Sequence, residues 1–73
     1  MKKNLALLEL GNKIRLERMK RDISQEKLAE LANVSIRTIS DIERGLTDIR
    51  YTNLLQIAKA FQLTTSRLLD FQL

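Results

Sequence analysis

The stretch from Ser24 to Gly45, SQEKLAELANVSIRTISDIERG, reads as two short helices joined by Asn33-Val34-Ser35. Ser24 is placed to cap the first, and Ile23 before it can staple onto Leu28. Ser35 caps the second, with Val34 set to staple onto Ile39. Asn33 suits the bend because Asn accepts a positive φ, and Gly45 is placed as the residue that stops the second helix. Two consecutive capped helices with so short a bend spell a helix-turn-helix. At about 100° per residue, Ile39 and Ile42 fall on one side of the second helix, while Arg37, Ser40, Asp41 and Arg44 fall together on the other. Two arginines, a hydroxyl and a carboxylate on one strip can hydrogen-bond to base-pair edges, so this helix is expected to read DNA.

Outward from this stretch the spacing stays helical. A helix is expected over residues 7–20, its apolar stripe Leu7, Leu10 and Ile14 continuing to Arg18, with Lys13, Glu17 and Lys20 left to solvent and residues 1–5 frayed. Asp22 can take the left-handed conformation that ends it. In the next helix Leu28, Ala29, Leu31 and Ala32 should face the core, Ala29 being small where the following helix crosses. Residues 46–49 read as a loop. A fourth helix follows over residues 51–62, with Tyr51, Leu54, Leu55, Ala58 and Phe61 inward and its cap open among Asp48, Thr52 and Asn53. Thr64 opens a short fifth helix carrying Leu68 and Leu69, and residues 70–73 form a tail. No useful strand-like alternation occurs, Pro is absent, and Gly stands only at positions 11 and 45. The expected fold is all-α, one domain over residues 1–73 with its helix-turn-helix at 24–45.

A chain of 73 residues can build one small core. Without Cys there is no disulfide, thiol nucleophile or sulfur-ligated metal, and without His the commonest general base and transition-metal ligand are missing. No Gly-rich phosphate loop occurs, and the carboxylates are scattered, so an enzyme, a metal site or a cofactor is not expected. No small-molecule ligand is evident. No apolar run approaches a membrane span, and Asn4 and Glu9 interrupt any signal-peptide core, which points to a cytoplasmic protein. The net charge of +4 is uneven: the first 21 residues hold seven Lys/Arg against two Glu. Such a basic end attracts polyanions, nucleic acid being the usual one, although a merely solubilising surface has equal weight on charge alone.

The pattern Ile23-Ser24-Gln25-Glu26, Leu28-Ala29, Val34-Ser35, Ile39-Ser40, Ile42-Glu43-Arg44-Gly45, Leu54-Leu55, Ile57-Ala58, Ala60-Phe61 and Leu68-Leu69 resembles the phage-repressor/Cro-like (XRE) helix-turn-helix family. The likeness runs from about Ile14 to Leu69. In its small size the chain is similar to restriction–modification controller proteins and small phage or mobile-element regulators. The resemblance implies a compact five-helix, lambda-repressor-like bundle that binds double-stranded operator DNA as a homodimer, its third helix in the major groove. Carried over by position, it implies base-edge contacts for Ser35, Ile36, Arg37 and Asp41. It likewise implies phosphate contacts for Gln25 and Arg44, with Arg50 and Thr47 as candidates in the following loop. Asn33 stands where the family usually has Gly, Ile49 where it often has Pro, and Arg50 where Ser frequently caps the fourth helix.

Each residue has a plainer alternative. Arg37 can fork onto O6 and N7 of a guanine, worth about 1–3 kcal/mol of discrimination, or be a solvated arginine. Asp41 can accept from a cytosine N4 or hold Arg37 across one helical turn, the second being slightly favoured. Ile36 can meet a thymine methyl or pack on its neighbours. Lys13 and Arg15 are more simply solvated charge than DNA contacts. Glu43 falls near the core side beside Ile39, and Arg18 ends the stripe of the first helix; the family resemblance pairs these positions in a partly buried salt bridge, which the wheel allows. That pair is expected to be structural. Leu68, Leu69, Phe71 and Leu73 exceed what so short an end needs for one core, and with the outer face of the fourth helix they suggest a two-fold interface within residues 54–73, the alternative being that they cap the monomer core. A second reading is an antitoxin-like or adaptor protein-interaction module with a vestigial helix-turn-helix, its affinity resting on those leucines.

Overall fold

Five helices carry the chain in a computed structural model that describes residues 4–71. They are α1 (Leu5–Lys20), α2 (Gln25–Ala32), α3 (Ile36–Glu43), α4 (Tyr51–Ala60) and α5 (Thr65–Leu68). No strand occurs among the described residues. Most starts follow from side-chain caps. The Asn4 carboxamide oxygen accepts from the amides of Ala6 and Leu7, Ser24 Oγ from that of Lys27, Ser35 Oγ from that of Thr38, and Thr64 Oγ1 from that of Arg67. Helix α1 therefore begins two residues earlier than its apolar stripe suggests, and Leu5, expected to fray, is helical. Helix α4 is the exception, since Arg50 occupies its cap position without a side-chain hydrogen bond.

The stops of α1 to α4 share one geometry. Asp22, Asn33, Gly45 and Gln62 each take a positive φ of 54° to 69° just past a helix. Their amides, and those of the residues that follow, return to the last turn: Gly45 N to Ile42 O at 3.0 Å and Leu46 N to Asp41 O at 2.9 Å, for example. This is the Schellman arrangement, which satisfies carbonyls that would otherwise be orphaned. It is usually sealed by an apolar residue folding back. Ile23, Val34 and Leu63 do so against the core, whereas Leu46 is 61 % exposed.

The core is Leu10, Ile14, Leu28, Ala29, Ala32, Ile39, Ile42, Leu54, Ile57, Ala58, Phe61 and Leu68. Several inward expectations need correction. Leu31 and Tyr51 are exposed, because α2 buries the stripe Leu28, Ala29 and Ala32, and α4 buries Leu54, Ile57 and Ala58, with Phe61 just past its end. The α2 stripe is narrower than expected and leaves Leu31 out, while the α4 stripe leaves Tyr51 out and takes Ile57 in. Helix α4 also ends at Ala60, with the next two residues in its stop.

Glu17, expected in solvent, is buried. It lies one turn past Ile14 on the inward face of α1 and is tolerated there because three cations surround it: Lys13 at 2.8 Å, Arg21 at 2.7 Å and Lys20 at 3.5 Å. The hydrogen bond from Lys13, aided by that from Arg21, outweighs burial and holds its carboxyl at about 2. Arg21 reaches onward to donate to the Phe61 carbonyl at 2.8 Å and lies over the Phe61 ring, 4.8 Å from its centroid, which ties the end of α1 to the end of α4.

Gly11 sets how closely α1 approaches α3. A Cβ there would overlap the Ile42 carbonyl oxygen and stand 2.8 Å from that of Glu43. The backbone of α1 thus rests directly on the last turn of α3, which fixes the height at which α3 projects.

Candidate nucleic-acid interface

Helix α3 has two unlike faces. Ile39, Ile42 and Glu43 are buried, and Ile36, Arg37, Ser40, Asp41 and Arg44 lie at or toward the surface. The Arg37 side chain is 89 % exposed and that of Arg44 62 %. Between them sits Asp41, 26 % exposed, whose Oδ1 accepts from Arg44 Nη2 at 3.1 Å while Oδ2 lies 3.8 Å from Arg37 Nε. At the start of the helix Ile36 is half exposed, a large apolar side chain without cover. Ser35 spends its oxygen on the cap and shares a second hydrogen bond with Thr38 Oγ1 at 2.7 Å.

Behind this face, Arg18 and Glu43 form a two-pronged ion pair, Nε to Oε2 at 2.7 Å and Nη2 to Oε1 at 3.0 Å. A third guanidinium donor, Nη1, bonds the Ile23 carbonyl at 2.9 Å. The pair thus fastens α1, the turn before α2, and α3 at one point. Glu43 raises the Arg18 pKa still higher, so the guanidinium stays charged at every accessible pH. Every buried side-chain polar atom among the described residues has a partner.

Gln25 opens α2, and its Nε2 donates to Glu43 Oε1 at 3.1 Å. One amide hydrogen is committed to the ion pair, and the second remains for an external acceptor. Thr47 is exposed, its hydroxyl donating to the Asp48 carbonyl at 3.2 Å, and Arg50 is exposed at the start of α4. Leu46, which sequence reasoning passed over, projects from the same loop; the signal for it was its place directly after the Gly45 stop.

At the other end of the chain, Leu68 is fully buried in the monomer's own core, so its expected place in a subunit interface is corrected. Helix α5 is so short that its one inward position closes the bundle. Leu69 is 42 % exposed, and Phe71 is half buried against the core. Leu73 lies outside the described residues. No helix among the described residues is long and apolar enough to cross a membrane.

The geometry defines a class, a helix-turn-helix with an exposed polar strip on its second helix, and comparison with known proteins gives the family. A Helix-turn-helix family model matches residues 14–68. Control protein C.BamHI of Bacillus amyloliquefaciens is 42 % identical over 72 residues, 97 % of this chain and 88 % of that protein. The crystal structure of the restriction–modification controller protein C.AhdI from Aeromonas hydrophila superposes with a TM-score of 0.87 at 28 % identity, over 89 % of this chain and 98 % of that one. The P22 c2 repressor, crystallised with a synthetic operator, does so with a TM-score of 0.76 at 38 % identity, over 84 % and 92 %. The chain belongs to the phage-repressor/Cro-like (XRE) helix-turn-helix family, and it is a DNA-binding transcriptional regulator.

Proposed function

We propose that this chain recognises an imperfectly palindromic operator as a symmetric homodimer, each subunit laying α3 along the major groove. The observation that carries this is the Arg37 side chain, 89 % exposed at the start of a capped helix whose opposite face is fully buried. An arginine held out in this way suits bidentate contact with a guanine. Ser35, Ile36, Ser40 and Asp41 complete the set that faces base edges. Gln25, Arg44, Thr47 and Arg50 would touch phosphates and supply most of the affinity and its salt dependence.

A two-fold dimer would set the two reading helices about 34 Å apart, one helical turn of DNA. The exposed Leu69 and the half-buried Phe71 are the apolar surface that supports such a contact, beside the outer face of α4. A site overlapping a promoter would give repression, and one just upstream activation.

The test is selection from a random double-stranded DNA pool. An enriched sequence with two inverted half-sites supports the proposal. Failure to bind any duplex even at low salt would favour a protein-interaction module instead.

A further inference from the structure

The polar strip of α3 contains a carboxylate that a surface built only for affinity would not have. Phosphates and the acceptor edges of base pairs are negative, so a fixed negative charge on the approaching face costs binding wherever the duplex leaves it without a partner. Asp41 is also the least exposed of the strip's three charges, at 26 % against 89 % for Arg37 and 62 % for Arg44. It is therefore the covered member of the set, while the arginines beside it reach further into solvent. Its two oxygens face different partners, Oδ1 toward Arg44 at 3.1 Å and Oδ2 toward Arg37 at 3.8 Å.

The geometry points to Asp41 as a further specificity-determining residue of this interface, a positioning residue that restrains Arg37 and Arg44 and repels sequences that offer them no better partner. This rests on the DNA-reading role of α3 proposed above. On an arbitrary duplex the two arginines would have to leave Asp41 for scattered phosphates, stranding the carboxylate against negative charge. On the matching duplex Arg44 passes to a phosphate while Arg37 turns to a guanine. Asp41 Oδ1, now released by Arg44, can brace Arg37 or accept from the exocyclic amine of a neighbouring cytosine or adenine. The carboxylate is then satisfied, and its cost falls only on the wrong sequences.

Charge and shape can be separated with two variants. Asp41→Asn keeps the size and removes the charge; Asp41→Glu keeps the charge and shifts the oxygens by one methylene. The probes are the duplex enriched by the parent protein from a random pool and an unselected random duplex of the same length, each titrated at two salt concentrations.

Asp41→Asn should bind the random duplex about threefold to tenfold more tightly than the parent does, with a salt slope steeper by about one unit. Its ratio of selected to random affinity should fall by about tenfold or more. Asp41→Glu should keep the weak binding to the random duplex. Thermal unfolding midpoints close to the parent's would show that the change lies in recognition and not in the fold.

If the parent enriches a sequence and Asp41→Asn keeps the parental ratio, the inference about Asp41 is overturned while the DNA-reading role stands. It is equally overturned if Asp41→Glu binds the random duplex as tightly as Asp41→Asn does. If the parent enriches no sequence at all, the DNA-reading role fails and this inference fails with it.

Discussion

At the scale of single residues the protein is governed by how each charge is partnered. Glu43 is buried and takes three hydrogen bonds, two from Arg18 and one from Gln25. Removing it strands a guanidinium that is only 15 % exposed, so Glu43→Ala should cost about 3–5 kcal/mol by chemical denaturation, a loss typical of broken buried pairs. A melt like the parent's would contradict the structural role. Glu17 offers the pH counterpart. Its carboxyl is held at about 2 against an ordinary 4.5, a depressed value, so its contribution is present above about pH 4.5 and is lost as pH falls toward 2. Glu17→Gln should therefore be less stable than the parent near neutrality by roughly 2 kcal/mol, and the gap should narrow below about pH 4.5 and close as pH falls through about 2. A gap independent of pH would contradict it. The sequence made the Arg18–Glu43 pair legible because both ends fall on inward faces and the family resemblance joins them. Glu17 occupies an equally inward position, but its charge suggested solvent, and only the folded chain reveals that Lys13, Lys20 and Arg21 converge on it.

Among the elements, caps were legible and rotations were not. Ser24, Ser35 and Thr64 announce their helices because a short hydroxyl side chain before a helical run has few other uses. Asp22, Asn33 and Gly45 announce the stops, whereas Gln62 at φ 59° has no such preference and takes the conformation because Leu63 packs behind it. In α2 and α4 the apolar residues are numerous enough to draw two stripes, and only packing chooses between them; hence Leu31 and Tyr51 lie outside and Ile57 inside. The crossing of α1 over α3 depends on Gly11, whose spacing in sequence carries no signal because its partners are carbonyl oxygens 31 and 32 residues away. Alanine is the better helix former, yet Gly11→Ala should lower stability by about 2 kcal/mol, near 10 °C in Tm, by prying α1 from α3. An unchanged or raised Tm would show that the contact yields freely.

For the molecule as a whole, the fold and family were legible because the helix-turn-helix occupies a third of the chain and its flanking helices have little freedom once it forms. The strip was legible on a wheel, and the folded chain brings Arg37, Asp41 and Arg44 together as an interacting set. What sequence could not give was the sorting of the C-terminal leucines, since Leu68 and Leu69 are adjacent and only one turns inward. Leu69→Glu should accordingly leave the monomer's unfolding unchanged, weaken self-association measured by sedimentation, and reduce operator binding most at low protein concentration. Undiminished self-association would place the interface elsewhere. Arg44→Ala should weaken binding to all duplexes alike and lower the salt slope by about one unit, while Arg37→Ala should flatten the preference among sequences.

The most direct test of the central claim pairs one protein change with one atom of DNA. In the selected duplex, the guanine most strongly required is replaced by 7-deazaguanine, which removes the N7 acceptor from the major groove, and binding is measured with the parent and with Arg37→Ala. The account predicts that either change alone costs affinity, that 7-deazaguanine costs almost nothing further once Arg37 is alanine, and that Arg37→Ala on the 7-deaza duplex loses only the remaining O6 bond. Losses that simply add, or a duplex indifferent to N7 at every required guanine, would contradict it.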